Sequence, residues 1–407
     1  MTLVNRILLV ALPLVSITIA LVEPRLRHFG VTRSPSGALN ADDCRELAGL
    51  AGCRDAWVDH ERRVAYLCVL CPVVPGRRLV SSLLGFSLGR ACSTTLKLYS
   101  FSSGLSSTIE LVRPGPSSGS HEFSAASITG FVHGDNDDTV SLFVASDDAA
   151  VVEVFEATRR KSHATSVRTV RHDLVASPAA LVATGPASFF VTNDRASRTT
   201  RHRFEWLYSA PSTIVHCDAN RLATGGQECI VALDGITRPT GIALDRESST
   251  LYVSSVMTGE VTTYEVQSDY TLFPLAAKIS LGRPIDRLDL DPSTDALYAA
   301  STSTRTVLDL VRSPSTRNDD DAVDDHPRPV EVWRIEREQG QAKFYGHPYK
   351  STLLLSDPEN VNVSRISTAA VFEHELLLLT GPSTKRPAVM CRLAQELETL
   401  LERQQSQ

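Results

Sequence analysis

The sequence carries no excess of positive charge. Its 407 residues hold 41 Lys and Arg against 47 Asp and Glu, a formal net charge of −6, so the electrostatic footprint of a nucleic-acid binder is missing. There is no glycine-rich phosphate cradle, and His121-Glu122 and His374-Glu375 both lack the second histidine of a zinc-binding helix. Cys68-Val-Leu-Cys71 has metal-ligand spacing, but no second pair follows it, which argues against zinc. The acidic stretch 318–326 lacks the residue order of a calcium loop and reads as a solvated connection. Gly85-Phe86-Ser87-Leu88-Gly89 spells a nucleophile elbow. The residues after it read as loop and strand rather than the helix such an elbow needs. Strand and helix patterns do not alternate, which argues against a parallel α/β sheet.

Apolar residues make up 42% and charged residues 22%, ordinary for a chain that buries a large core. The one long apolar run is residues 7–22, preceded by Arg6. It exceeds a typical signal-peptide core and falls a little short of a spanning helix, so residues 1–28 read as a signal peptide or a signal anchor. Either way the expectation is the secretory pathway, with the remainder lumenal, extracellular or secreted. Eight cysteines agree with an oxidising compartment. Cys217 and Cys229 flank Gly225-Gly226, which suits a hairpin bridge, and Cys44 and Cys391 bracket nearly everything between them. The pairing of Cys53, Cys68, Cys71 and Cys92 stays open. Asn362-Val363-Ser364 is a glycosylation acceptor.

The stretch RPTGIALDRESSTLYVSS (238–255) reads as strand, turn, strand, and it has relatives within the chain. Residues 53–68, 128–146, 178–194, 284–302 and 367–381 share its plan: a small or polar pair, a short alternating strand, a polar turn and a second apolar strand. Further strand-like runs lie between them, at 95–101, 151–157, 259–266, 304–311 and 330–336. Six such units in series predict an all-β six-bladed propeller over 40–392. A Cys44–Cys391 bridge would clamp its closure. Residues 102–127 read as a Ser- and Gly-rich surface loop, and 393–407 as a short helical tail with a polar end. Aligning the six units places Arg54, Asp55, Thr129, Ala179, Ala180, Thr240, Asp286, Arg287, Ser367 and Thr368 at one mouth of a central channel.

The segments GCRDAWVD, VRTVRHDLV, GPASFFVTND, RPTGIALD, PIDRLDLDP and VEVWRI, in this order, resemble the serum paraoxonase/arylesterase family, six-bladed propellers related to gluconolactonase-type enzymes. The resemblance runs from about Cys44 to Cys391. It implies a calcium ion in the channel mouth that polarises an ester or lactone carbonyl, a histidine that helps activate water, and a second calcium that holds the tunnel together. It also implies a bridge between the first and last cysteines and an amino-terminal segment often kept as an anchor. Carried over by position, this sequence departs from the pattern. A calcium-binding Glu falls at Arg54, while the neighbouring Asp is kept as Asp55. The catalytic His falls at Thr129, and a second His near Asp147. An Asn–Asp pair falls at Ala179 and Ala180, and an Asn at Thr240. An Asp–Asn pair becomes Asp286–Arg287.

Calcium takes six to eight oxygen ligands, several of them anionic. Asp55 and Asp286 are the carboxylates left at the mouth, and Arg54 and Arg287 bring formal charge there to about zero. A guanidinium beside a divalent ion in a poorly solvated channel is repulsive. The expectation is therefore no bound calcium and no other cofactor, with arginine–carboxylate pairs in the metal's place. The expected function is a non-catalytic binding or structural module. The alternative is an ester or lactone hydrolase with a rearranged site. His133 and His216 lie outside the aligned mouth and read as ordinary surface or loop histidines. No specific partner is legible. A small ester, lactone or lipid-like ligand fits the fold, the amino-terminal segment is the candidate membrane contact, and no nucleic acid is expected.

Overall fold

A computed structural model describes residues 20, 22–69, 95–113, 125–134, 138–146, 149–158, 162–195, 211–223, 225–303, 328–338, 348–363, 365–373, 376–381 and 386–393. Residues 1–19, Cys71, Gly85–Gly89, Cys92, His121-Glu122, Asp147, 304–311, 318–326, His374-Glu375 and 394–407 lie outside them. Among the described residues no helix is long and apolar enough to cross a membrane.

Among the described residues, twenty-four strands build the fold. β1 (Cys44–Ala51) comes first but belongs to the last blade. Blade one is β2 (Cys53–Asp59), β3 (Val64–Val69), β4 (Thr95–Ser100) and β5 (Leu105–Val112). Blade two is β6 (Ala125–Val132), β7 (Thr139–Ser146), β8 (Val151–Thr158) and β9 (His163–Val170). Blade three is β10 (Pro178–Gly185), β11 (Ser188–Asn193), β12 (Pro211–Asp218) and β13 (Cys229–Thr237). Blade four is β14 (Pro239–Asp245), β15 (Thr250–Ser255), β16 (Glu260–Val266) and β17 (Leu272–Ser280). Blade five is β18 (Leu288–Leu290), β19 (Leu297–Thr302), β20 (Val330–Arg337) and β21 (Tyr349–Asp357). Blade six is β22 (Thr368–Phe372), β23 (Leu376–Thr380) and β24 (Pro387–Arg392), completed by β1. The innermost strands touch in a closed cycle, β2 to β6, β10, β14, β18, β22 and back to β2. That cycle makes the array a propeller.

The sequence explains the repetition locally. Asp59 and Asp245 end innermost strands and Asp291 directly follows one, and each accepts hydrogen bonds from backbone amides two or three residues on: Arg62 for the first, Glu247 and Ser248 for the second, Ser293 for the third. Four residues past each Asp the chain turns left-handed, at Arg63 (φ 57°), Ser249 (φ 50°) and Asp295 (φ 56°). An aspartate that bonds its own turn and a following residue with φ > 0 set the hairpin before any tertiary contact forms. The strands that follow are packed on both faces, so β11 and β15 are buried along their whole length. The core consists of seams between blades: Phe143 on β7 meets Phe189 on β11, and Phe372 on β22 stacks on Phe101 beyond β4.

Residues 105–112, expected within a surface loop, form β5. Its side chains are mostly exposed and Ile109 alone is buried, so the alternation that marks a strand is absent from the sequence. Pairing with β4 and, in parallel, with β9 holds it extended, and blades one and two thereby share an eight-stranded sheet.

Cys44 on β1 and Cys391 on β24 face each other and are bonded, as are Cys217 on β12 and Cys229 on β13. Cys53 and Cys68 are buried free thiols, both pushed well above the ordinary thiol range, first of all by burial.

Ahead of β1, a helical segment over 22–29 lies against the β15–β16 turn. Arg25 donates to Met257 O, the His28 ring bonds Val256 O, and Phe29 packs on Met257. Because Ser255 pairs with Pro239, this turn is at the end of the ring where the innermost strands begin.

His216 departs from expectation: it is a strand residue on β12 with no exposed surface. Its ring stacks on Tyr270 at 3.8 Å between centroids, Nδ1 accepts from Arg221, and Nε2 pairs with Thr184 Oγ1. Burial first, and Arg221 second, pull its pKa down to about 3. The unfolded chain therefore binds a proton near pH 6.5 that the folded chain refuses. The stability tied to neutral His216 is complete above about pH 6.5 and falls as pH drops toward 3, by about 2 kcal/mol at pH 5. Urea unfolding at pH 7 and pH 5, with NMR of the ring to show it still neutral at pH 5, measures this. A ring protonated at pH 5 in the folded protein contradicts it.

Candidate functional site

The innermost strands share an irregularity at their first residues. In β2 the register passes from Cys53↔Val69 to Asp55↔Cys68, leaving Arg54 as an extra residue. The same step leaves Ala126 in β6, Ala179 in β10 and Thr240 in β14. Ahead of β18, Asp286 N donates to Ala300 O while Ala300 N donates to Arg287 O, again two residues against one. Ser367 N donates to the carbonyl of Thr380, the partner of Thr368. A bulge releases its residue from the ladder, and the freed backbone groups must find other partners. Six such residues ring the mouth of the channel.

This register moves one expected position. Thr129 is buried in the middle of β6, three residues past the bulge, because the bulge in β6 falls at Ala126. The ring member of blade two is therefore Ala126, with Ser127 beside it where the other strands carry Asp55 and Ala180. Neither residue can act as a base near pH 7.

Arg287 occupies the hub. Nη1 donates to Thr240 O at 2.9 Å and Nη2 to Ala126 O at 2.6 Å, so one guanidinium satisfies two freed bulge carbonyls. A third, Arg54 O, accepts from Ser367 Oγ. Arg287 Nε has no hydrogen-bond partner among the described residues but lies 3.7 Å from Asp55 Oδ2. Asp55 is 4% exposed. Its Oδ1 accepts from Thr368 Oγ1 at 2.6 Å and Ala56 N at 3.0 Å, and its Oδ2 from Ser127 Oγ at 2.7 Å and Ile128 N at 3.1 Å. The buried carboxylate ties blades one, two and six, and Arg287 adds blades four and five.

The residues do not fit a calcium ion. The Ala126 and Thr240 carbonyls, which could face a metal, already receive Arg287, and the Asp55 oxygens are occupied by four donors. Ala179 and Ala180 offer no side-chain oxygen, and Arg54 and Arg287 have none to give. No group of three His, Cys, Asp or Glu able to hold a metal occurs among the described residues.

Asp286 is half-buried at the same mouth. Burial raises its pKa above the ordinary carboxylate value. Arg287, Arg365 and Arg54 oppose that rise, and Asp55 adds to it. Arg365, just before β22, went unnoticed in the sequence because it stands outside the repeated unit. Deeper along β18, burial pushes Asp289 up to about 8, a backbone bond from Val371 opposes this, and Asp291 and Asp55 add to it. Asp289 Oδ2 has no hydrogen-bond partner among the described residues. His133 is exposed just past β6 and bonds Ser141 Oγ at 2.7 Å. Asn362 is half-exposed in the connection before β22, where its backbone N–H donates to Asp357 Oδ2.

A family model described as arylesterase matches residues 108–341. "Serum paraoxonase/arylesterase 1" of Rattus norvegicus is 28% identical over 168 residues, 40% of this chain and 45% of that protein. "Serum paraoxonase/arylesterase 2" of the same organism is 24% identical over 250 residues, 60% of this chain and 63% of that protein. The matched segments thus span about half the length of these curated relatives. Among solved structures, a luciferin-regenerating enzyme aligns with a TM-score of 0.48 at 10% identity, covering 86% of this chain and 94% of its own.

Proposed function

Because the chain belongs to the arylesterase family, we propose that it is a paraoxonase-type propeller whose channel no longer works through calcium. It serves in the secretory pathway as a non-catalytic binding or structural module. The observation that carries this reading is Arg287. Its guanidinium donates to two carbonyls of the bulge ring and neighbours Asp55, the oxygens a hub metal would need. A guanidinium and a divalent cation cannot share them. The two disulfides among the described residues suit an oxidising compartment. The amino-terminal apolar run acts as signal peptide or anchor. If it is kept, the docking of 22–29 at the mouth end turns the channel toward the bilayer.

Asp289 favours a second reading, in line with relatives named paraoxonase, arylesterase and lactonase. A carboxyl whose pKa is pushed up to about 8 can exchange a proton with substrate near neutral pH. It would support ester or lactone hydrolysis without metal. The expected result for the purified full chain is no stoichiometric calcium by elemental analysis, an unchanged thermal midpoint after chelation, and no turnover of aryl esters or lactones. Calcium-dependent turnover overturns both readings. Metal-independent turnover that disappears in Asp289→Asn establishes the second over the first.

A further inference from the structure

The helical segment over 22–29 is fastened to the ring by few groups, and one of them titrates. His28 Nε2 lies 2.9 Å from the carbonyl of Val256, and Arg25 Nη1 donates to Met257 O at 2.7 Å. A carbonyl only accepts, so Nε2 carries the proton of the first bond, and Nδ1 is bare while the ring is neutral. The apolar part of the contact is small, with Phe29 and Met257 its buried members. The β15–β16 turn is shaped to receive the ring: a Cβ at Gly259, where φ is 67°, would stand 2.6 Å from His28 Cε1.

The charges that act on this ring are cations. Arg25 and Arg33 reach it from its own segment. On the other side, Val256–Gly259 carries no ionisable side chain, and the connection packed beside that turn brings Arg283, whose guanidinium pairs with Glu331. Burial lowers the pKa of His28 below the ordinary histidine value, the bond to Val256 opposes this, and Arg25 and Arg33 add to the lowering. The chain that follows is held separately. Arg33 Nη1 donates to Gly282 O, Ser36 Oγ to Glu331 and Asn40 Nδ2 to Leu354 O, and Leu39 bridges Ser356. Between the two attachments stands Gly30 at φ 97°, where the chain can pivot without a Cβ penalty.

We propose that His28 is an acid-sensitive latch: while neutral it holds the helical segment on the β15–β16 turn, and once protonated it lets that segment swing away about Gly30 while 33–40 stay in place. The sign follows from linkage. Undocked, the ring meets water and titrates near 6.5; docked, it titrates lower. The undocked chain binds more proton, so docking is at full strength above about pH 6.5 and weakens as pH falls. The latch is independent of what the channel holds. Where the apolar run is kept as an anchor, release frees the ring to turn relative to the membrane, a consequence that rests on the anchor reading above.

Hydrogen exchange of the full chain at pH 7.5 and pH 5.5, corrected for the intrinsic effect of pH on amide exchange, tests the latch. Protection over 22–29 is expected to fall several-fold at pH 5.5, and by no more than about tenfold for a single proton. Protection over 33–40 is expected to fall less. His28→Gln can still donate to Val256 O but does not titrate, so its 22–29 segment should be protected alike at both pH values. It keeps His216, and so separates the latch from the acid sensitivity of the whole fold. His28→Arg, a permanent cation, should lack the protection at pH 7.5 as well. Equal protection of the unaltered chain at the two pH values, the same loss in His28→Gln, or an equal loss over 33–40 overturns the proposal. Should His28→Gln fail to dock at pH 7.5, NMR titration of the His28 ring in the unaltered chain decides: protection lost in step with ring protonation supports the latch, and loss without protonation overturns it.

Discussion

Replacing Arg287 with Met is expected to cost the propeller about 3–5 kcal/mol, the range for removing one partner of a buried charged pair. The change leaves the carbonyls of Ala126 and Thr240 without the donors they now have, and leaves Asp55 buried without the guanidinium 3.7 Å away. Each orphaned buried acceptor carries a desolvation penalty of about 1–3 kcal/mol. Arg287→Lys should recover part of the loss. An ammonium supplies the charge but not a planar fork that reaches two carbonyls and a carboxylate at once. Adding Asp55→Asn to Arg287→Met should cost less than the sum of the two changes, since the stranded charge is then gone. Urea unfolding of the unaltered chain, the three single variants Arg287→Met, Arg287→Lys and Asp55→Asn, and the double variant measures all three statements. Arg287→Met with the stability of the unaltered chain would show that the guanidinium does not hold the hub.

Opening the Cys44–Cys391 bridge is the second large change. It joins residues 347 apart in sequence, so in the chain-entropy model it stabilises by on the order of 6 kcal/mol, against about 3 for the 12-residue Cys217–Cys229 loop. Residual structure in the unfolded chain makes the measured values smaller. Cys44→Ser with Cys391→Ser is expected to lower the thermal midpoint more than Cys217→Ser with Cys229→Ser. It should also raise the exchange rates of amides in β1 and β24 ahead of the remaining blades, because β1 is then held to blade six by its strand ladder alone. Equal midpoints for the two double variants would contradict the ranking.

The blades were legible because their signals are local. The Asp59, Asp245 and Asp291 turns and the buried hairpins they close are written within about twenty residues each. The register steps that open most units follow the same local signal, the small or polar pair at the head of each innermost strand. Blade two does not. A bulge is defined by its pairing partner, and nothing in SAASITGF says whether Ala126 or Thr129 stands opposite the step from Ser146 to Ala145. Arg365 escaped notice because it stands outside the repeated unit and its charge acts on Asp286 from a neighbouring blade, and β5 because its pairing with β9 leaves no alternation in the sequence. His216 was misplaced because a histidine buried between Phe190 and Tyr270 depends on residues far away in the chain.

The strand that completes blade six is made first and used last. β1 emerges from the ribosome with no partner of its own, and β24 follows after more than three hundred residues. At roughly 5–20 residues per second, this is a wait of roughly 20–70 s. In the secretory compartment proposed above, Cys44 spends that time as a thiol under oxidising conditions, with Cys53 and Cys68 the next cysteines to arrive. Correct closure is thus a matter of timing as well as of affinity: the cell has to keep the first cysteine from an early partner until the last one is delivered.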